Sequence, residues 1–485
     1  MKFGIPRIWR EPSDHLTNCY FCIVDPSKRR SGKNALSIVY VDIPSSIAPV
    51  AHNAELVVPI PPGLYQCSHN SKSESDTNIE DEEFKTSTSF QDHEPYFPNQ
   101  LDINDLVRDL NLTKSNAELL TSRLKQWNLL ESSVKVTVHR NRHNDFSKYY
   151  TSKDGLCFCN NVVGLFDIIG IKFNPKEWRL FIDSSSMSLK GVLLHNGNKY
   201  PSIPLAHSVH LKEDYASIKT LLKALNYDDY GWEVIGDFKM IAFLVGLQGG
   251  FTKFQCYLCL WDSRDTKAHY KLREWPPRSD YTIGQSNVKW NQLIDPHKVL
   301  LPPLHIKLGL MKQFVKALDH DSAAFRYLLS YFPKLSEAKI KGGVFNGPQI
   351  RKIMQSTDFQ NMLTNSQNIA WCSFIDVTEG FLGNYRATNY VQLVQNLVRN
   401  YCKIGCRMSL KLHIMDAHLD IFKDNVGAYS EEHGERFHQD ILDFENRYQG
   451  QCNENMMGDY IWGLIRESTF KSKRVARKRN KFTIE

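Results

Sequence analysis

Apolar and polar positions repeat with two different periods along this chain. From 102 to 133, DINDLVRDLNLTKSNAELLTSRLKQWNLLESS sets Leu106, Val107, Leu110, Leu119, Leu120, Leu124 and Trp127 at helical spacing. The pattern breaks near Leu112 to Ser115, which predicts two helices with Thr113 or Ser115 as the second N-cap. The period then changes. WRLFIDSSSMSLKGVLLHNGNKYPSIPLAHSV runs in short apolar and polar alternations parted by turn residues, Asn196-Gly197 among them, and predicts a three-stranded meander. Asp183 ends its first strand after Leu180, Phe181 and Ile182. YASIKTLLKALNY returns to helical spacing, and WEVIGD predicts a fourth strand ending in Asp237. IKLGLMKQFVKAL and YRATNYVQLVQNLVRNY make the following interval largely helical. GAYSEEHGERFHQDILDF predicts one more helix, with Ser430 as N-cap, Glu431 and Glu432 in its first turn, and Phe437, Ile441 and Leu442 as its apolar face.

The 485 residues suffice for two to four domains, and 42% hydrophobic with 23% charged residues is a globular composition. No apolar run reaches the length of a membrane-spanning helix, and MKFGIPRIWREP lacks a signal-peptide pattern, so a soluble intracellular protein without membrane contact is expected. Eleven cysteines, partly in close pairs, then favour thiols and metal ligation over a disulfide framework. Net charge is only +7, but it is unevenly spread. The acidic stretch 68–98, with few aliphatic residues, is expected to be a disordered linker. It separates an N-terminal module, 1–67, whose His15, Cys19, Cys22 and His52 are candidate ligands of a zinc-ribbon-like site. Their spacing fits no standard finger, and a plain buried cysteine pair is the alternative. The region 99–177 is either a helix-turn-helix reading DNA through Ser122, Arg123 and Lys125 or a helical hairpin that packs on the core or dimerises. HRNRH (139–143) adds positive charge there. The tail 471–485, beginning KSKRVARKRNK, suits a nuclear import signal or a phosphate-binding arm, hence a nuclear protein.

Candidate chemistry changes the picture most. Meander, helix and fourth strand, with carboxylates at neighbouring strand positions, describe an RNase H-like α/β core. Such a core needs Asp183 and Asp237 there because two Mg²⁺ ions, about 4 Å apart, clamp the attacking and leaving oxygens of a phosphodiester. The first part of this core spans 178–262. A helical insertion follows over 263–408, and 409–470 closes the fold. Cys256 and Cys259 with His413 and His418 make a tetrahedral zinc set drawn from both sides of the insertion. Because an i, i+5 pair does not share one helical face, one histidine should sit at a helix end.

Asp237, CYLC nineteen residues later, WDSR, LPPLHIKLGLMK (301–312), HIMDAH and GAYSEEHGERF together resemble the catalytic core of Transib-type DDE transposases and the related V(D)J recombinase, over roughly 178–445. The resemblance implies that Asp183, Asp237 and a glutamate bind Mg²⁺ or Mn²⁺, while CxxC and HxxxxH hold one structural Zn²⁺. It aligns Glu435 with the family's glutamate, and Glu432, one turn earlier, is the alternative. The implied function is that of a transposase or recombinase that cuts and joins DNA, at transposon ends or targets, as a homodimer or higher oligomer. Two other readings stand beside it. One is a domesticated, catalytically inactive DNA- or chromatin-binding protein. The other is an RNase H-type nuclease, since FIDSSSMSLKGVLL resembles a retroelement RNase H start.

Overall fold

The computed structural model describes residues 96–184, 188–383, 386–422 and 429–467, with Arg7–Ile8, Thr17, Val50–Ala51 and Phe482–Thr483. The chain divides into two units, 1–93 and 94–485. In the first, Arg7–Ile8 pairs antiparallel with Val50–Ala51. The candidate ligands His15, Cys19, Cys22 and His52 lie outside the described residues, as do the acidic stretch as far as 95 and the basic run 471–481. Beyond that run, Phe482–Thr483 pairs parallel with Ile465–Arg466.

The second unit is mixed α and β, built on one seven-stranded mixed sheet. Its strands are β1 (Tyr150–Lys153), β2 (Leu156–Cys159), β3 (Trp178–Ser184), β4 (Leu189–His195), β5 (Ile203–Ser208), β6 (Glu233–Ile235) and β7 (Val299–Leu300), in the order β1-β2-β5-β4-β3-β6-β7. The meander β3-β4-β5 is antiparallel, whereas β6 and β7 add parallel to β3. The central strands are buried along nearly their whole length, because helices cover both faces of the sheet.

The helices that build the site are α1 (Gln100–Asp109), α2 (Lys114–Gln126), α3 (Tyr215–Ala224), α4 (Phe238–Leu244), α5 (Pro303–Lys316), α6 (Asn365–Gly380), α7 (Tyr390–Lys403), α8 (Leu410–Ala417), α9 (Glu432–Arg447) and α10 (Glu454–Leu464). Leu221 of α3 and the following Leu225 close on Gly191, the register partner of Ile182, while Gly434 of α9 lies on the ring of Phe181. Neighbouring strand residues point to opposite faces, so α3 and α9 sandwich the sheet. The interval between the sheet and α8 is helical only from Pro303. Residues 263–295 run through turns and isolated bridges instead. Among the described residues no helix is long and apolar enough to cross a membrane.

Helices α1 and α2 lie where the periodicity predicts, with Thr113 capping α2 through the Asn116 amide. Their buried face differs from the expected one. Ile103, Val107, Ala117 and Thr121 face inward, while Leu106, Leu110, Leu119 and Trp127 are exposed. The inward register is set by polar clamps. Arg108 donates to the Trp462 carbonyl at 3.0 Å and pairs with Asp105 and Glu467, which fastens α1 to the end of α10. Ser122, Arg123 and Lys125 are exposed, Lys125 bonding the carbonyls of Ser132 and Val134. HRNRH is not a free basic patch. Arg142 is buried in a 2.6 Å pair with Asp459 of α10, and Arg140 pairs with Glu118.

His139 of the same segment is fully buried, its Nε2 3.1 Å from Thr121 Oγ1. Burial, helped by the Arg142 charge, pulls its imidazole down to about 4. The unfolded chain takes up this proton near the ordinary value of about 6.5, so the stability tied to the neutral ring is complete above that value and is lost as the pH falls toward the folded one. The loss amounts to something on the order of 3 kcal/mol. Urea unfolding followed from about pH 7 to about pH 4.5 should therefore be less pH-dependent in His139→Gln than in the parent protein. Identical pH slopes would count against this account.

Candidate functional site

Strand pairing sets the first site. β3 and β6 run parallel with Phe181 opposite Ile235, so Asp183 and Asp237, each two residues further on, come side by side. Gly236 permits this approach, since a Cβ there would lie 2.8 Å from the Ile182 carbonyl oxygen. Asp183 lies within β3, but Asp237 is not the end of a strand. β6 stops at Ile235, and Asp237 is the N-cap of α4, its Oδ1 accepting from the Met240 amide at 2.6 Å. The helix takes over there because a capping aspartate in extended backbone satisfies an amide that would otherwise be orphaned.

α9 carries the third carboxylate, and Gly434 decides its approach. A Cβ at Gly434 would lie 2.5 Å from the Phe181 ring, so glycine lets the helix rest directly on β3. Arg179, buried in β3, donates to the Ser430 carbonyl at 2.7 Å, and Ser202 Oγ donates to the His433 carbonyl at 3.2 Å. Contrary to expectation, Ser430 is not the N-cap. The helix opens at Glu432 after Glu431, although Ser430 Oγ still accepts from the Glu432 amide at 3.2 Å. Glu432 and Glu435 therefore share the first turn, and the buried face is Phe437, Ile441 and Phe444, with Leu442 exposed.

The two glutamates meet different surroundings. Glu432 faces Lys307 of α5 at 3.4 Å and Arg351 at 3.5 Å. Glu435 is half-buried on the side of Asp183, and burial, followed by the charge of Asp183, raises its carboxyl above the ordinary range. His438, three residues on and on the same helical face, places Nε2 2.6 Å from Asp183 Oδ2. Sequence reading gave Glu431 no role beyond the helix dipole, yet it has no exposed surface. Its Oε1 accepts from the His305 amide at 2.9 Å and lies 3.2 Å from Nδ1 of the same ring, while Oε2 has no hydrogen bond among the described residues. Burial works against charge on His305, but the hydrogen bond and charge of Glu431 outweigh it and raise the imidazole. His305 Nε2 stands 3.9 Å from Glu435, so this ring links the two glutamates. Lys411 of α8 packs on Gly309 of α5, and burial pushes its amine down to about 8 while Asp237 opposes the fall. His305 lay within the quoted LPPLHIK and His438 within GERFHQD. What the sequence lacked was the face each would present.

The second site gathers Cys256, Cys259, His413 and His418, whose ligand atoms all lie within 4.8 Å of one another. Cys259 Sγ is 3.2 Å from both His413 Nε2 and His418 Nε2, and Cys256 Sγ is 3.5 Å from His418 Nε2. His413 sits inside α8, whereas His418 is the residue that ends it, so the helix end brings both imidazoles to one point. Trp261 stacks on His413 at 4.7 Å, and the Leu258 amide points at Cys256 Sγ at 3.4 Å. Burial disfavours charge on Cys256, but hydrogen bonds from Cys259, His413 and His418 outweigh it and hold its thiol well below the ordinary range. Two sulfurs and two imidazole nitrogens converging in a buried place form a set that could hold a metal such as zinc.

Two family models match the chain, a domain of unknown function (DUF8703) over residues 138–294 and another (DUF8704) over residues 303–383. The first includes Asp183, Asp237, Cys256 and Cys259, and the second includes His305 and Lys307. His413, His418 and Glu435 lie beyond both. No curated protein matches the chain.

Proposed function

We propose that this chain is a transposon-derived DDE recombinase, cutting and joining DNA by two-metal phosphodiester chemistry on an RNase H-like core. The observation that carries this reading is the parallel register of Phe181 with Ile235, which carries Asp183 and Asp237 off the same end of adjoining strands, together with the charge of Asp183 felt by Glu435. The order β5-β4-β3-β6-β7, an antiparallel meander extended by two parallel strands, supports the RNase H-like assignment. So does a long helical excursion that departs and returns through one Cys₂His₂ cluster.

The donor set suits hard cations such as Mg²⁺ or Mn²⁺, being carboxylate oxygens on fixed elements. Burial and the charge of Asp183 raise the Glu435 carboxyl, and Glu431 Oε2 has no hydrogen bond among the described residues, which fits a place a cation would satisfy. Cations held by Asp183, Asp237 and Glu435 would supply charge for the attacking and leaving oxygens of a phosphodiester. The chain's own groups do the rest. His305, tied to Glu431, steadies Glu435. Lys411, beside Asp237, offers a cation to a phosphate. A nuclear protein acting as a homodimer or higher oligomer on DNA belongs to the same reading.

One observation favours the inactive DNA-binding alternative: Asp237 is already used as a helix cap and Asp183 already faces His438. Nicking of supercoiled plasmid under Mg²⁺ or Mn²⁺ separates the two, since the inactive protein binds DNA without cutting it. Within the active reading, Glu435→Gln should stop nicking with zinc content unchanged, whereas Glu432→Gln, which loses only its pairs with Lys307 and Arg351, should continue to cut. The reverse result would move the third carboxylate back by one helical turn.

A further inference from the structure

Beside the carboxylates runs a groove of one sign. Two adjoining hollows, of about 340 and 740 Å³, share Phe251, Gln255, Gln313, Lys316, Ser409 and Leu410. The nearer begins at Phe238 and Lys239, directly after Asp237, and includes Lys312 and Lys411. The farther adds Arg264, Lys341 and Arg407. Among the described residues no carboxylate lines either hollow. Lys312, Lys316, Arg264 and Arg407 are exposed, and none has an ion pair among the described residues. Cations in a row beside a phosphodiester-cutting site are what a nucleic-acid backbone requires.

Between the hollows stands Phe251, whose side chain is fully open to solvent, 101% exposed, the most exposed large apolar residue described. It is held there by construction. Gly250 has φ +91, and the Thr252 amide donates to the Gly250 carbonyl at 3.0 Å, closing a tight turn with Phe251 at its tip. Either side is anchored: the Gln248 amide donates to the Asn287 carbonyl at 2.9 Å, Phe254 N to Asn287 Oδ1 at 2.7 Å, and Ser263 Oγ to the Thr252 carbonyl at 2.7 Å. A ring presented to solvent by an anchored turn, lining the same hollows as these cations, pairs two chemistries, phosphate attraction and a π-face.

We propose that this groove binds single-stranded DNA next to the cutting site, with Phe251 stacking on one unpaired base while Lys312, Lys316 and Arg407 hold its phosphates. A base within a duplex has both faces covered, so only an unpaired or extruded base can present one to the ring. The proposal rests on the DNA-cutting reading but adds a strand path and a base contact to it.

The test uses the full-length, metal-loaded protein and oligonucleotides carrying 2-aminopurine at successive positions, single-stranded or fully paired. The parent protein should bind the single strand more tightly than the duplex and change the fluorescence at one position. Phe251→Ala should lose both that change and about ten-fold in affinity, roughly the worth of one stacked base. Phe251→Trp should restore them, and Lys312→Ala with Lys316→Ala should flatten the salt dependence. The ring is outside the core, so the melting temperature should not move. Unchanged fluorescence and affinity in Phe251→Ala overturn the proposal, and tighter binding of the same sequence as RNA overturns the choice of DNA. Nicking by the parent protein, measured alongside, keeps the two ideas apart. Nicking with an indifferent Phe251 rejects the groove alone. A Phe251-dependent signal without nicking rejects the recombinase reading alone, and neither binding nor nicking rejects both.

Discussion

Asp183→Asn and Asp237→Asn are each expected to reduce Mg²⁺- or Mn²⁺-dependent DNA nicking by at least about a thousand-fold, near 4 kcal/mol of barrier, while the protein stays folded. The effect should be this large because an amide keeps the shape of the side chain and loses the charge that draws a divalent cation. The fold should survive for a separate reason at each position. At Asp237 the side chain also caps α4, and asparagine caps a helix about as well as aspartate, so the Met240 amide keeps a partner. Asp237→Ala, by contrast, should cost about 1 kcal/mol of stability as well as activity. At Asp183 the substitution removes the charge that adds to burial in raising Glu435 but weakens the pair with His438, so the two effects offset and stability should hold. Plasmid nicking and thermal melting, measured on the same preparations, read both outcomes. Cutting by the double asparagine variant would remove the carboxylates from the chemistry altogether.

Removing the Cys₂His₂ metal should have the largest effect on the fold itself. Purified protein is expected to carry at least one tightly bound zinc, and Cys259→Ser, His418→Ala or a strong chelator should unfold or aggregate the second unit. Cys256 and Cys259 belong to the loop after α4, and His413 and His418 to α8, so the cluster is where these two distant segments meet. Without a cation, two buried thiols, the buried His413 and the half-buried His418 share one small space, and ligand sets of this kind return roughly 10 kcal/mol or more of apparent binding energy to folding. Metal analysis with circular dichroism on heating reads the result. Full thermal stability in either variant at unchanged zinc stoichiometry would mark these four as ordinary core residues. A stoichiometry of two in the parent protein would direct attention to His15, Cys19, Cys22 and His52.

The sheet was legible because its signals are local. WRLFIDS and LKGVLLH are short apolar runs bounded by turn residues, which mark buried strands, and the apolar WEVI before a small glycine marks β6. The Cys₂His₂ cluster was legible because its donor types are rare and the i, i+5 spacing demands a helix end, which His418 provides. The misreadings of the helical face and the basic run turn on partners far away in sequence. HRNRH looks like a solvated basic run until Asp459, 317 residues from Arg142, buries it. Helix α1 offers leucines on one side and Ile103 and Val107 on another, and the choice between them is made by α10, which no local period foretells. In SEEHGER three glutamates compete within five positions. Only the contact of Gly434 with Phe181 assigns Glu435 to Asp183, Glu432 to Lys307 and Glu431 to His305.

Cys259 and His413 face each other across 154 positions of chain, and between them the chain adds β7 to the sheet and sets His305 beside Glu431 before the helices from 323 to 403. Once both ends are clipped, the entropy of closing such an excursion changes by only about 0.6 kcal/mol for each doubling of its length. The connections among those later helices are therefore nearly free to lengthen or shorten over evolutionary time. The segments bearing Asp183 and Glu435 are held by contacts of their own, Gly434 on Phe181 and Arg179 on the Ser430 carbonyl, so the tether works as a cassette holder, letting the helices beyond α5 diverge while these carboxylates keep their places.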